Sequence, residues 1–184
     1  LSGTFNLQYN YKNKLRFQNN ASFTQNKSED TPYGSFSTYA VLNPYESMYD
    51  EDGLLAVQIG DRPNPFRDGE IGTSLTSSYR QFINNTSLEW TIIEGLGLRG
   101  KLGITVKNND ADQFYPASHS KFANYKGENA ARKGSYQVNN GKSSTLSGEL
   151  LLNWYKQFNE KHNLFINLGY NLSETISSEA INYA

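Results

Sequence analysis

Among the residues that could do chemistry, the two histidines, His119 and His162, fall in a long irregular stretch and in a predicted turn at the opposite end of the pattern. They are therefore not expected to share a metal. Asp50-Glu51-Asp52-Gly53 sets carboxylates just before a glycine, as in part of a calcium loop, but the rest of the EF-hand spacing is missing. A solvated acidic turn accounts for it, and Asp110 and Asp112 read the same way. No spacing places two carboxylates across a substrate, as glycoside hydrolysis requires. Cysteine is absent, which excludes disulfides and thiolate metal sites. Without a nucleophile elbow, a glycine-rich phosphate loop or a metalloprotease helix, no enzyme, cofactor or metal is expected.

Two other sets of side chains remain. Arg16, Gln18, Glu89, Arg99, Lys101, Glu149 and Asn153 recur on the polar parity of alternating stretches, where they would hydrate a wall and bias solute passage or contact a plug. Tyr33, Phe36, Tyr39, Tyr45, Tyr49, Phe114 and Tyr115 lie in the irregular stretches, where they would stack on a solute, bury against a partner or pack the loops together.

The elements that position these sets are read from period-2 patterning. Across 79–107, Phe82, Leu88, Trp90 and Ile92 share one parity against Asn85, Ser87, Glu89 and Thr91. Leu98, Gly100, Leu102, Ile104 and Val106 then oppose Arg99, Lys101, Gly103 and Thr105, and Glu94-Gly95-Leu96-Gly97 supplies the reversal. The same pattern predicts a hairpin over about 3–25, turning at Lys12-Asn13-Lys14, with Asn19 as the weak point of its apolar face. A third hairpin over about 143–174 turns at Asn159-Glu160-Lys161-His162, and there Leu151 and Phe165 each break the polar parity once.

Between the hairpins, about 26–78 and 108–136 lose the alternation and are predicted as long loops with short local structure. Asn43-Pro44 and Asn64-Pro65 act as breakers, and 128–133 is a candidate helical turn stopped by Gly134. Connections that run short, long, short, long, short place both long loops at one end of a meander, as in outer-membrane barrels. Each strand covers the roughly 9–11 residues that a tilted membrane strand needs, more than the about 5–6 of soluble sheets. Trp90, Trp154, Tyr9 and Tyr11 sit where an interfacial aromatic girdle would be.

The expected fold is therefore all-β, an antiparallel up-and-down meander of six long strands forming part of a large transmembrane β-barrel. The competing reading is a soluble β-sandwich that binds carbohydrate through its aromatic loops, in which Leu88, Leu102, Leu150 and Ile166 would converge in a dry centre. A smaller complete barrel would need at least two more strands. The net charge of -1 predicts no bulk attraction to nucleic acid. A mean hydropathy of -0.69 looks soluble, but a barrel strand shows lipid only at alternate residues, so that average does not decide the matter. The pattern is already under way at Leu1 and runs out without a terminal element at Asn182-Tyr183-Ala184, as expected of a piece of a longer protein.

Specific residues carry a family resemblance. Pro32-Tyr33-Gly34-Ser35-Phe36, with Tyr39 and Leu42-Asn43-Pro44-Tyr45, resembles the first long barrel loop of the SusC/RagA family of TonB-dependent outer-membrane transporters of Bacteroidetes. Asn84-Asn85-Thr86-Ser87-Leu88-Glu89-Trp90, leading to Gly95-Leu96-Gly97-Leu98-Arg99-Gly100, is similar to the strand pair that follows. Tyr115-Pro116-Ala117-Ser118-His119 with Phe122, then Lys133-Gly134-Ser135-Tyr136, resembles the next external loop and its return strand. The resemblance implies a barrel with an N-terminal plug, set in outer-membrane lipid. It also implies import of oligosaccharides or peptides under a SusD-like surface lipoprotein, driven through TonB by way of a plug that this chain does not contain.

Overall fold

In the computed structural model, residues 1–30, 35–159 and 162–184 are described. Six long strands, β1 (Ser2–Tyr11), β2 (Leu15–Asp30), β5 (Ser74–Ile93), β6 (Leu96–Tyr115), β7 (Ser135–Phe158) and β8 (His162–Tyr183), form one antiparallel sheet in the order β1-β2-β5-β6-β7-β8. The long connection 31–73 holds helix α1 (Phe36–Ala40), the small ribbon β3 (Gln58–Ile59) with β4 (Arg62–Pro63), and helix α2 (Pro65–Glu70). Connection 116–134 holds two 3-10 turns, Ser120–Phe122 and Gly127–Arg132. The all-β meander is as expected, but the strands run further than the alternation marks, and the connections shrink to 31–73 and 116–134. The turn predicted at 128–133 is present as the second 3-10 turn, and Gly134 ends it at φ 95°.

The chain divides into two compact units. The first comprises Leu1–Asn26, Tyr79–Asn108 and Gly141–Glu179, and it holds the middle of the sheet with its short turns. β1 pairs with β2 from Ser2↔Thr24 to Tyr11↔Leu15, so Phe5, Leu7 and Tyr9 face Ala21, Asn19 and Phe17. The reversal is set by Lys12 and Asn13, both left-handed at φ 49° and 52°, with Lys14 N–H donating to the Tyr11 carbonyl at 2.9 Å. Two consecutive residues with positive φ are the primed geometry that matches strand twist. At the β5–β6 turn Gly95 has φ 80°, and a Cβ there would lie 2.2 Å from the Tyr155 carbonyl oxygen, so no other residue fits. The turn Asn159–His162 falls partly outside the described residues.

The second unit, Lys27–Ser78, Asn109–Asn140 and Ala180–Ala184, contains both long connections. Every buried side chain among the described residues belongs to it: Ile59, Phe122, Asn64, Asp68, Thr73, Ser120 and Pro65. The first unit has none. Leu88, Leu102, Leu150 and Ile166 are 42%, 49%, 51% and 40% exposed, so they do not converge on a dry centre. A leucine left in water forgoes roughly 1.5–3 kcal/mol of burial, so a sheet with this whole parity uncovered needs an apolar phase against it. A β-sandwich would cover that parity with a second sheet of comparable size, whereas the other sheet among the described residues is the ribbon β3–β4, with two residues in each strand. Among the described residues no helix is long and apolar enough to cross a membrane, which says nothing of a β-barrel.

Candidate functional site

The sheet of the first unit has two chemically separate faces. On one, Leu88, Leu102, Leu150, Tyr170 and Leu172 border an open groove of about 400 Å³, widened where Gly100 and Gly148 present no side chain. On the other, Asn20, Asn85, Ser87, Ser147, Asn171 and Ser173 surround a depression of about 460 Å³ that Lys101 and Glu149 also line. Strand periodicity alone produces this division, because each successive residue crosses the sheet.

The polar face carries most of the charged set read from the sequence. Arg99 Nη2 donates to Glu149 Oε1 at 3.1 Å, and Lys101 Nζ lies 3.5 Å from the same oxygen. Arg16 Nη1 lies 3.9 Å from Glu89 Oε2, and Gln18 Nε2 donates to Gln8 Oε1 at 3.4 Å. The structure thus joins six of the seven predicted polar residues into short cross-strand links, while Asn153 is exposed and takes part in none of these links. All these ion pairs are partly exposed, so each contributes little to stability and serves mainly to keep the face hydrated. Leu151, on the polar parity, reaches into the space that Gly169 leaves open, where a Cβ would lie 3.5 Å from its Cδ1. Phe165 packs against Tyr155, with ring centroids 4.6 Å apart.

Asn19 interrupts the apolar parity, and the structure shows how that is tolerated. Its Nδ2 donates to Asn84 Oδ1 at 3.2 Å and Thr86 Oγ1 at 2.7 Å, and Asn84 Nδ2 returns a bond to Asn19 Oδ1 at 3.2 Å. Three polar side chains satisfy one another, which removes most of the cost of an amide on an apolar face.

The second unit is organised by Asn64 and Asp68. Asn64 is fully buried; its Oδ1 accepts from the Phe66 and Arg67 N–H groups, capping α2, and Pro65 occupies the first helical position. Its Nδ2 donates to the Met48 and Ala56 carbonyls at 2.9 and 2.8 Å, which ties the preceding loop to the cap. Asp68, 6% exposed, accepts from the Ser120 N–H at 2.9 Å and from the Ser120 hydroxyl, while Arg67 Nη1 donates to the Ser118 carbonyl. The two long connections are therefore clasped through α2.

His119 stands beside this clasp. Its Nδ1 accepts from the Lys121 N–H at 3.0 Å, so the neutral ring carries its proton on Nε2. The 3.8 Å approach of Nδ1 to Asp68 is then not a hydrogen bond. Burial pushes the imidazole below the ordinary value of 6.5; Asp68 partly offsets that, and Lys121 and Arg67 reinforce it. Serine, histidine and aspartate are close together, but the Ser120 hydroxyl donates to the aspartate and not to the imidazole, so the arrangement does not activate a nucleophile.

The aromatic set divides. Phe36 and Tyr45 are 84% and 94% exposed, and Tyr49 and Phe114 are also exposed, although Phe114 makes an edge contact with Tyr136. Tyr39 packs edge-on against Phe66, and Tyr115 packs edge-on against His119 beneath the Lys121 ammonium. Tyr33 lies outside the described residues. Asp50 Oδ1 accepts from the Asp52 and Leu54 N–H groups, as a solvated turn does, and among the described residues no group of three metal-ligating side chains forms. Asp68, Ser120 and Lys121 are not marked by any motif. The Asn64-Pro65 pair is marked, but as a breaker, and the structure makes it a helix cap followed by proline at the first turn.

No family model and no curated protein matches the sequence. Two solved structures, described as the RagAB peptide transporter and as the RagAB peptide importer in the 'open-open' state, are similar to the chain, with TM-scores of 0.65 and 0.64 at 17% identity. Each match covers 98% of this chain and 21% of the other, so the chain spans about a fifth of the length of these relatives. At that identity the likeness is one of fold. The likeness of fold agrees with the all-β, six-stranded antiparallel meander expected of a barrel segment.

Proposed function

We propose that this chain is a wall segment of a TonB-dependent outer-membrane transporter that imports oligosaccharides or peptides with a SusD-like surface lipoprotein. The observation that carries the reading is the uncovered apolar parity of a single sheet whose other parity bears linked charges. That combination suits a wall between hydrocarbon and water. In this reading Arg16, Gln18, Glu89, Arg99, Lys101, Glu149 and Asn153 face the lumen. The short turns are periplasmic, and 31–73 with 116–134 are extracellular. Likeness of fold to a peptide transporter supports the peptide branch of the substrate choice. The exposure of Phe36, Tyr45, Tyr49 and Phe114 supports contact with a substrate or lid, whereas Tyr39 and Tyr115 are engaged in packing the loops.

Because the chain has no cysteine, single cysteines report on each face without background. In outer membranes, Leu102→Cys and Leu150→Cys are expected to resist a water-soluble maleimide and to respond to a quencher carried on lipid tails. Lys101→Cys and Ser147→Cys are expected to do the reverse. Equal aqueous labelling of both sets would overturn the wall assignment.

A further inference from the structure

We propose that the cavity beside α2 and the first 3-10 turn binds a carboxylate attached to an apolar body. The cavity measures about 410 Å³, and its apolar lining comes from Pro63, Pro65, Leu75 and Tyr115. His119 and Lys121 also line it, and both present donors with no hydrogen-bond acceptor among the described residues. With Nδ1 accepting from the Lys121 N–H, the His119 proton sits on Nε2, which has no acceptor among the described residues. The Lys121 ammonium lies 4.3 Å from the Tyr115 ring centroid and has no carboxylate partner among the described residues.

The charges around the cavity favour an anion. From α2 come Asp68 and Arg67, from the 3-10 turn Lys121, and from β6 the phenol of Tyr115. Each Asp68 oxygen already accepts one bond from Ser120, and neither His119 Nε2 nor the Lys121 ammonium is hydrogen-bonded to it. Two cations against one carboxylate leave an excess positive charge with His119 neutral and a larger one with it protonated. A bound carboxylate therefore favours the imidazolium, and its affinity rises as pH falls below the ordinary histidine value. The ammonium covers one face of the Tyr115 ring, which is then unavailable for stacking a flat polyol. The three aliphatic side chains of the lining instead suit an apolar group next to the anion.

The test is a calorimetric titration of the protein purified in detergent with N-acetylphenylalanine and with N-acetylphenylalanine amide, at about pH 7.5 and about pH 5.5, either side of the histidine range. The acid is expected to bind about tenfold or more tighter than the amide, as loss of a charge-assisted hydrogen bond implies. Lys121→Met should remove that preference and Lys121→Arg retain it. His119→Asn keeps an acceptor for the Lys121 N–H and should abolish the gain at low pH. Equal binding of acid and amide, no binding of either, or an unchanged preference in Lys121→Met would each overturn the proposal. The readout is binding, so the result stands apart from whether the barrel transports anything.

Discussion

Ser120 gives both its backbone N–H and its hydroxyl to the carboxylate of Asp68, 52 residues earlier in the chain. Both residues are buried, so the bonds hold two irregular segments together where water does not compete for the donors. The same carboxylate sits on α2, whose carbonyl at Asp68 accepts from the Thr73 hydroxyl at 2.8 Å.

Replacing Asp68 with alanine strands two donors in a dry site and should destabilise the clasped loops by about 2–4 kcal/mol, the range expected for hydrogen bonds to a charged acceptor. Hydrogen exchange should quicken at 65–73 and 118–122 and stay unchanged at 98–106. Asp68→Asn should be milder, since its Oδ1 still accepts from the Ser120 N–H and the hydroxyl can turn to accept. Unchanged exchange in Asp68→Ala would contradict the clasp.

Asn64 offers a sharper separation of cap from clamp. Asn64→Ala loses the helix cap and leaves two carbonyls without their donor, at a cost of about 2–4 kcal/mol in the second unit. Aspartate is an equally good cap, yet Asn64→Asp should not rescue, because it turns a carboxylate toward the Met48 and Ala56 carbonyls. Limited proteolysis between 48 and 64 would compare the two variants, and full recovery in the aspartate variant would mean that only the cap matters.

Acid should loosen the same unit. The folded imidazole of His119 titrates below 6.5 because burial disfavours its charged form, whereas the unfolded chain takes up the proton at the ordinary value. Between those two points the unfolded state holds more protons, so stability is complete above 6.5 and declines as pH falls through the folded value. Protonation of Nδ1 also removes the acceptor for the Lys121 N–H. His119→Asn keeps an acceptor without titrating, so loop exchange rates in that variant should lose the part of their pH dependence that lies in this window.

How much of this was legible in the sequence follows from the range of each interaction. The two faces of β5 and β6 can be read from Phe82 to Val106 because a strand turns local alternation directly into geometry, with successive residues on opposite faces. The extra length of β2 and β6 is not legible, since Lys27–Asp30 and Asn109–Tyr115 carry no such alternation and are held by the sheet's backbone ladder. Asn64-Pro65 reads as a breaker and is in fact a cap, which is the same local chemistry taken one step further. The pairing of Asp68 with Ser120 has no local signal, because a single carboxylate and a single serine gain their meaning only when two loops fold against each other. For the same reason the sequence does not tell which of the loop aromatics pack, as Tyr39 and Tyr115 do.

The division of the sheet gives the most direct stability prediction. Leu102 and Ser147 lie on opposite parities of neighbouring strands, and both are exposed. If the apolar parity meets lipid, Leu102→Lys places an ammonium in hydrocarbon and should lower the stability of the membrane-inserted protein by about 2–4 kcal/mol near the midplane. Ser147→Lys adds the same charge to the hydrated face near Glu149, where exposure and solvent screening should hold the change to within about 1 kcal/mol. Denaturant unfolding from phospholipid vesicles would measure both. In water a lysine at either position would be equally comfortable, so a difference of the expected sign depends on the lipid itself, and equal midpoints for the two variants would mean that Leu102 does not face hydrocarbon.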